Sequence, residues 1–309
     1  MNKLVATLAC LLIVQLVVAG TLWTVDSDMT QQAERQPLLA FDSSLLNKIE
    51  IKSKDDTLSL SMEKGQWQFT EHPDLPVADI KLESLINELS SVHMSWPVAH
   101  SKASHERFHV SDDNFEKQLT IYSREGDLQL LNIGKSPSFK QLYVRNANED
   151  EVYLINFNAY QLSADANDWL KKSLLSVEDV MKVEHANISI EKYEERWRLS
   201  EPMVLSENEG LNEDDIAQFV DKIANLHVIG IATNGSFKPL HKLTVFNSEH
   251  DSFTYEFSKS DTQYYVKRND VSHWFSIAKN QYEAIAELSF DQFVSKKNGD
   301  KQHNTVTTE

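Results

Sequence analysis

The residues with the clearest chemical potential are His105, Glu106 and His109, which form the pattern H-E-x-x-H in the segment HERFH. In zinc hydrolases this pattern places two imidazoles one turn apart on a helix, and the glutamate activates a metal-bound water. That chemistry needs a long amphipathic helix. The flanking residues are Ser-Lys-Ala-Ser at 101–104 and Val-Ser-Asp-Asp at 110–113. These flanks favour capping and ending a helix over extending it. We therefore interpret the segment as a solvated turn and predict no metal site, with zinc binding as the alternative.

Other polar and aromatic residues have simpler structural explanations. His93 and His100 lie near the HERFH segment and could extend a metal-binding cluster. His93, however, falls near the end of a predicted helix, where a cation suits the helix dipole, so a capping role is favoured. The paired carboxylates at 112–113 and 214–215 fall in turns or first helical turns, so we do not interpret them as a glycosidase dyad. A set of aromatic residues alternates along predicted strands, which favours core packing over a ligand-binding face. Its members are Trp67, Tyr143, Tyr153, Trp197, Tyr265 and Phe275.

Several common enzyme classes lack their signatures in this chain. It has only 8 glycines and contains no G-x-S-x-G elbow, no Walker-type loop and no G-x-G-x-x-G fingerprint. Nucleotide hydrolysis and hydride transfer are therefore disfavoured, and we predict no catalytic residue and no cofactor. The formal net charge of -17 repels phosphate backbones and anionic headgroups, so we expect no nucleic-acid partner and no peripheral attachment to lipid.

The N-terminal stretch from Leu4 to Val25 has no charged residue. As a helix it would be about 33 Å long, enough to cross a hydrocarbon core of about 30 Å. Lys3 precedes it and acidic residues follow it, which predicts a cytoplasmic N-terminus. We expect a single-pass inner-membrane protein whose C-terminal domain is periplasmic, with a cleaved signal peptide as the alternative. Cys10 is the only cysteine, so the periplasmic part has no disulfides.

The remainder of the chain repeats itself. Leu119–Asp127 and Leu243–Asp251 share Leu, Thr, Glu and Asp at one constant offset. Two predicted helices carry apolar residues at i, i+3, i+4 and i+7, the spacing that buries one helical face. These residues are Leu82, Leu85, Ile86 and Leu89 in the first helix, and Ile216, Phe219, Val220 and Ile223 in the second.

The repeat and the strand pattern together predict the fold class. Strands that alternate apolar and polar residues form antiparallel sheets with one wet face, so we predict an α+β fold. Each unit has the predicted order β-β-β-α-(β)-β-β-β-β-α, with Asp79 and Asn212 as helix caps. The predicted segments are a transmembrane anchor (1–25), a linker (26–43), a first α+β unit (44–177), a second unit (178–295) and a disordered tail (296–309).

Several short motifs resemble those of a known family, the domain of unknown function 4340. They are Trp67–Pro73, Asp79, Leu131–Ser136, Tyr143–Arg145 and Val152–Ile155. The resemblance implies a membrane-anchored component found alongside ABC-type transport systems related to gliding-motility proteins, with no established activity. One departure is the segment 108–112, where the family has G-L-x-x-P.

The sequence therefore predicts a protein that is not an enzyme. We expect a membrane-anchored periplasmic accessory protein that binds another protein, within an ABC-type envelope transport complex. Two alternatives remain open. One is a membrane-tethered zinc hydrolase that uses His105, Glu106 and His109, and the other is a periplasmic module that binds a sugar or peptide.

Overall fold

A computed structural model describes the chain over residues 36–40, 42–186, 188–200, 205–233 and 237–296, together with Gln15. Apart from Gln15, the predicted transmembrane stretch lies outside these residues, as do residues 26–35 of the predicted linker and 297–309 of the predicted tail. Within the described part of the chain, no helix has the length and apolar character needed to cross a bilayer.

The chain divides into two compact units, each with an antiparallel sheet. The first unit comprises residues 1–73 and 79–166, and the second comprises residues 74–78 and 167–309. Both combine antiparallel strands with separate helices, so the protein has the α+β fold that the alternating pattern predicted.

The first unit is built on a seven-stranded antiparallel sheet. The strands of the whole unit are β1 (Gln36–Pro37), β2 (Leu46–Lys52), β3 (Thr57–Glu63), β4 (Gln66–Phe69), β5 (His93–Met94), β6 (Lys117–Ser123), β7 (Leu128–Ile133), β8 (Gln141–Asn146) and β9 (Tyr153–Asn156). The order in the sheet is β4-β3-β2-β6-β7-β8-β9, while β1 pairs with β5 separately. The described helices are α1 (Asp79–Ser91) and α2 (Lys102–Phe108), with 3₁₀ helices at Ser43–Leu45 and Ala159–Gln161.

The second unit is built on an eight-stranded antiparallel sheet. The unit's strands are β10 (Val180–His185), β11 (Ile188–Tyr193), β12 (Arg196–Leu199), β13 (Glu209–Leu211), β14 (Val228–Ile231), β15 (His241–Asn247), β16 (Ser252–Ser260), β17 (Gln263–Arg268), β18 (Phe275–Ile277) and β19 (Val294–Lys296). The order is β12-β11-β10-β15-β16-β17-β18-β14, while β13 pairs with β19. The described helices are α3 (Glu213–Ala224) and α4 (Lys279–Ala286), with a 3₁₀ helix at Phe290–Phe293.

The two sheets share one strand order, with β14 as an additional edge strand in the second. The likeness extends to register, because Ile49 pairs with Ile121 in the first sheet and Val183 pairs with Val245 in the second. Both central pairings also carry a β-bulge near the start of the first strand, before Lys48 in one unit and before Lys182 in the other.

Equivalent side chains beside each bulge make the same contacts. Lys48 forms an ion pair with Glu50 at 2.8 Å and lies over the ring of Tyr122 at 5.0 Å. In the second unit, Lys182 forms an ion pair with Glu184 at 2.7 Å, and its ammonium lies 5.4 Å from the ring centroid of Phe246. Cation–π contacts of this kind hold a lysine stem along a strand surface.

The helices bury the predicted faces. Leu82, Leu85 and Leu89 of α1 are buried, and so are Ile216, Phe219 and Ile223 of α3. At the start of α3, the side chain of Asn212 accepts hydrogen bonds from the backbone N–H groups of residues 214 and 215, as expected of an N-cap. Asp79 is the first residue of α1 and not its cap, so its carboxylate lies in the first turn, where the dipole favours it.

The predicted linker is wrong in its last part, because the first unit begins before residue 44. Strand β1 pairs with β5, and Leu38 and Leu39 are buried. The side-chain amide of Gln129 forms hydrogen bonds with the backbone of this segment. Its Nε2 donates to the Leu38 carbonyl at 2.8 Å, and its Oε1 accepts from the Ala40 N–H at 3.0 Å. Lys296 also differs from the predicted tail, because it pairs with Glu209 in the β13–β19 sheet.

The division between the units falls at residue 166, earlier than the predicted residue 177. Residues after 166 form hydrogen bonds to edge strand β14: Asn167 Oδ1 accepts from the Ile231 N–H at 2.8 Å, and the Lys172 carbonyl accepts from the Val228 N–H at 2.9 Å. A short 3₁₀ helix, Ala166–Trp169, lies at this boundary. These residues thereby cover the backbone of a sheet edge.

We predict that Leu85→Asp and Phe219→Asp each destabilise the chain by about 3 kcal/mol or more, because each places an unpaired charge in a buried helix face. Urea unfolding followed by circular dichroism measures the loss. Ile80→Asp and Gln218→Asp are matched controls on exposed positions of the same helices. Wild-type stability of either buried variant would contradict the assignment of that helix face.

Candidate functional site

The HERFH segment forms a short helix, so the predicted solvated turn is wrong. His105 and Glu106 lie within α2, whose first residue follows Ser101. His109 is the C-cap of α2 and adopts a left-handed conformation with φ of 56°. The helix ends because His109 leaves the helical region of backbone space, and the two histidines therefore do not share one continuous helical face.

Each imidazole of the segment has its own protein contact. His105 is buried, and its Nε2 lies 2.9 Å from the carbonyl oxygen of Asp150. His109 Nδ1 lies 2.7 Å from a carboxylate oxygen of Glu116. Among the described residues, no group of three or more His, Cys, Asp or Glu side chains is placed to hold a metal ion.

Glu106 closes the loop that follows α2. It accepts hydrogen bonds from Asn114 Nδ2 at 2.8 Å and from Ser111 Oγ at 2.6 Å. These two bonds, in that order, hold the pKa of the Glu106 carboxyl below its usual value. The ionised carboxylate is thus stabilised by side chains of the loop that follows α2.

Arg145, which belongs to the YVR motif, organises the same region. Its guanidinium is buried and donates from Nε to the Val110 carbonyl at 2.7 Å. Nη1 donates to the carbonyls of Ala147 and Glu149, each at 2.9 Å, and Nη2 forms an ion pair with Asp112. One side chain therefore fixes both the chain after α2 and the turn after β8, a role for which the planar guanidinium is suited.

Asp112 is held in its charged form by this network. Partial burial raises the pKa of its carboxyl, but the hydrogen bond and charge of Arg145 outweigh burial and leave the pKa below its usual value. Asn132, which is fully buried, donates to Asp112 at 2.9 Å and accepts from Gln118 at 2.9 Å. Asp112, one member of the predicted carboxylate pair at 112–113, is therefore part of a structural network.

The predicted aromatic set packs mainly inward. Trp197, Tyr265 and Phe275 are buried, whereas Trp67, Tyr143 and Tyr153 are half-buried. Phe108 lies against Tyr143 with ring centroids 4.4 Å apart. Gly134 lies under the Phe108 carbonyl so closely that any side chain there would collide with that backbone. Phe108, Gly134 and Tyr143 therefore pack against one another.

Three residues in the second unit have the side-chain types of a hydrolase triad. Ser272 Oγ donates to Asp74 at 2.7 Å and lies 2.8 Å from His273 Nδ1. Asp74 also lies 3.3 Å from the same Nδ1 atom. A triad needs the serine and the aspartate on different imidazole nitrogens, so this arrangement stabilises a turn and does not activate the serine.

The imidazoles of His185 and His241 in the second unit form a pair that was not predicted from the sequence. His185 is buried on β10, and its Nε2 lies 3.1 Å from the carbonyl oxygen of Ala286 at the end of α4. Its ring stacks on that of His241 with centroids 6.3 Å apart, and His241 packs edge-on against Tyr282. The Nδ1 atom of His185 has no hydrogen-bond partner among the described residues. Burial, and then the nearby His241, lower the pKa of His185.

Each unit also has an open groove at the same end of its sheet. The groove of the second unit is about 620 Å³ and lies beside the β16–β17 turn, the end of β18 and Ile229. The groove of the first unit is about 490 Å³ and includes His93, Ser95 and Asn156. The grooves share one equivalent position, because Asn156 directly follows Ile155 and Ala278 directly follows Ile277, and those isoleucines pair with equivalent residues of β8 and β17. The rest of each lining differs, since the end of α1 contributes in the first unit and the β16–β17 turn in the second.

Comparison with known protein families gives one match. The sequence model of the domain of unknown function DUF4340 matches residues 67–245, more than half of the chain. The chain belongs to the DUF4340 family. No curated protein and no solved structure matches it.

In this DUF4340 protein the matched segment begins at Trp67 on β4 and ends at Val245 on β15. It therefore contains the HERFH helix, the Arg145 network and the His185–His241 pair. The second groove lies largely after residue 245, so most of its lining is outside the matched segment. The hydrogen bond of His105 could not be found from the sequence, since its partner Asp150 lies on the turn after β8.

We predict that the buried imidazole makes stability depend on pH. The unfolded chain protonates His185 below a pH of about 6.5, whereas the folded chain resists protonation until a lower pH. The neutral His185 side chain therefore contributes fully to the free energy of unfolding above a pH of about 6.5. This contribution is lost as the pH falls towards the folded-state pKa of His185. His185→Ile, which copies Ile51 at the equivalent position of the first unit, should weaken this dependence in urea unfolding from pH 7.5 to 5. An unchanged pH profile would contradict the prediction.

Proposed function

We propose that this DUF4340 protein is a non-enzymatic, membrane-anchored periplasmic accessory protein, in which two related α+β units follow one transmembrane helix. Its role is to bind another protein within an ABC-type envelope transport complex. The observation that carries the proposal is the open groove of the second unit, because it offers both apolar and hydrogen-bonding contacts at the surface.

The groove has the composition of a protein-binding surface. Ile229 on β14 is 57 % exposed and forms one apolar wall, and Tyr264 and Ile277 also line the groove. Thr262, Gln263 and Ser276 add hydrogen-bonding side chains, and Asp261 and Lys279 add one charge of each sign. Exposed apolar residues bordered by polar ones are typical of sites where another protein docks.

The contacts of the HERFH segment support a role without catalysis. His105, Glu106 and His109 contact three different protein groups, and the glutamate has a lowered pKa. A zinc hydrolase requires these side chains to converge on one ion with a water beside the glutamate. The membrane anchor is supported by the uncharged stretch Leu4–Val25. Because the sequence lacks a phosphate-binding loop, ATP hydrolysis belongs to another subunit of the complex.

A second candidate function is a periplasmic ligand-binding module. The groove of about 620 Å³ falls within the range of about 300–1,000 Å³ that is usual for small-molecule sites. The same residues would then hold a sugar or a short peptide. A cross-linking experiment separates the two functions, because only a protein partner gives a large covalent adduct.

We expect a photoreactive benzoylphenylalanine at position 229, installed in the full-length chain in cells, to cross-link to a protein partner that mass spectrometry identifies. Position 193 is the matched control, because Tyr193 is 53 % exposed in the same unit but lies outside the groove. A partner captured at 229 and not at 193 supports the proposal. Equal or absent cross-linking at both positions would count against the groove as the docking site.

We also expect Glu106→Gln to retain function in a strain that lacks the native gene, since the amide oxygen can still accept from Asn114 while the amide N–H donates to the Ser111 hydroxyl. Glu106→Ala, which removes both acceptors, should lower thermal stability and serves as the structural comparison. Metal analysis of the purified protein should find no stoichiometric zinc. Tightly held zinc together with failed complementation by Glu106→Gln would instead establish the hydrolase.

A further inference from the structure

Three large aromatic side chains of the first unit are unusually exposed. Trp96 is 61 % exposed, Phe139 is 67 % exposed and Tyr160 is 79 % exposed. Single apolar residues on a surface need no explanation, but several at one place indicate a contact surface.

These residues lie near one corner of the sheet. Strand β8 begins at Gln141, which pairs with Asn156 at the end of β9. Phe139 precedes Gln141 by two positions, and Tyr160 follows Asn156 by four. Ser95 lines the same groove as Asn156, which places the adjacent Trp96 beside it. We call Trp96, Phe139 and Tyr160 the aromatic rim.

The charge around the rim is opposite to that of the whole chain. The formal net charge of the protein is -17, yet residues 128–148 contain no acidic residue. Lys135 and Lys140 flank the loop that carries Phe139, and both are exposed. Glu88 lines the groove inside the rim and is a nearby carboxylate. The loop is thus a basic and aromatic protrusion on an acidic protein.

The chain also enters the first unit next to the rim. Gln36 pairs with Met94, two residues before Trp96, so the entry point lies within roughly 12 Å of Trp96. Residues 26–35 separate this point from the uncharged stretch 4–25. Ten residues span at most about 36 Å, which keeps the rim within reach of a bilayer crossed by that stretch.

We propose that the aromatic rim docks on the periplasmic surface of the membrane. Trp and Tyr favour the bilayer interface, where the ring is partly buried and its polar atom stays hydrated. Lys135 and Lys140 then lie among anionic headgroups, where each basic residue adds attraction. This inference rests on the proposed membrane anchoring. The basic residues favour a lipid surface over a protein partner, and docking on it would fix how the tethered first unit faces the bilayer.

Spin-label accessibility in nanodiscs tests the docking. Cys10 is the only cysteine, so a Cys10→Ser chain accepts a single nitroxide through Phe139→Cys. The full-length chain is placed in discs of phosphatidylethanolamine and phosphatidylglycerol. Collisions of the label with oxygen, which concentrates in lipid, and with a water-soluble nickel complex are then measured. Leu128→Cys is the matched control, because Leu128 is 52 % exposed at the opposite end of β7.

We expect the label at 139 to lose nickel collisions and gain oxygen collisions relative to the label at 128. Lys135→Gln with Lys140→Gln should restore nickel access, and so should discs that contain only zwitterionic lipid. A label at 139 that stays as open to nickel as the control overturns the docking. Spin–spin broadening with loss of both reagents shows that a second copy covers the rim, and it also overturns the proposal. Failure of the chain to enter discs refutes the anchoring itself.

Discussion

The pairing of β2 with β6, and of β10 with β15, is the constraint on which both units depend. In each unit, one meander of three strands and one of four are joined only at this central pair. The two strands are separated in sequence by the other two strands of the three-stranded meander and by the helical segment that follows them. Their contact must therefore offset a large loop-closure entropy. Buried β-branched residues meet at the junction, and the bulge with its Lys–Glu pair recurs there in both units. Their recurrence fits a duplication that kept the junction while the loops changed.

The polar residues of the first unit show how a sheet of this size holds its long loops. The loop after α2 and the turn after β8 expose backbone carbonyls that hydrogen bonds within the sheet do not satisfy. Arg145 reaches several of them from one buried position, and its charge is balanced by Asp112. Removing Asp112 would leave the buried guanidinium of Arg145 without its charge partner, which costs more than the pair itself contributes. A sequence pattern that resembles a metal site therefore lies inside a scaffold of structural hydrogen bonds.

Sequence alone predicts the parts of this fold that depend on periodicity. The α+β class, the strand order within each meander and the buried faces of α1 and α3 follow from alternation and from i, i+3, i+4 spacing. The position of residues 36–40 in the first unit could not be predicted, because the contact of Gln129 with Leu38 joins positions far apart in the chain. The boundary at residue 166 could not be predicted for the same reason, since Asn167 and Lys172 belong to the second unit through their hydrogen bonds to β14. The helix α2 was missed because its flanking serines and aspartates suit both a turn and a short helix.

Differences between the two units are the best guide to where function lies, because shared features are explained by the common fold. Tyr160 is exposed within the 3₁₀ helix Ala159–Gln161, whereas the corresponding Tyr282 is fully buried in the longer α4. The buried Ile51 of the first unit is replaced by His185 in the second, which brings a titratable ring into contact with α4. The eighth strand position is filled by β14 in the second sheet, but in the first sheet the segment near Trp96 makes only an isolated bridge from Ala99 to Val152. The first unit has thus gained an exposed aromatic surface where the second gained a complete sheet. Under the two proposals, this divergence gives the units different partners: the bilayer surface for the first and a protein for the groove of the second.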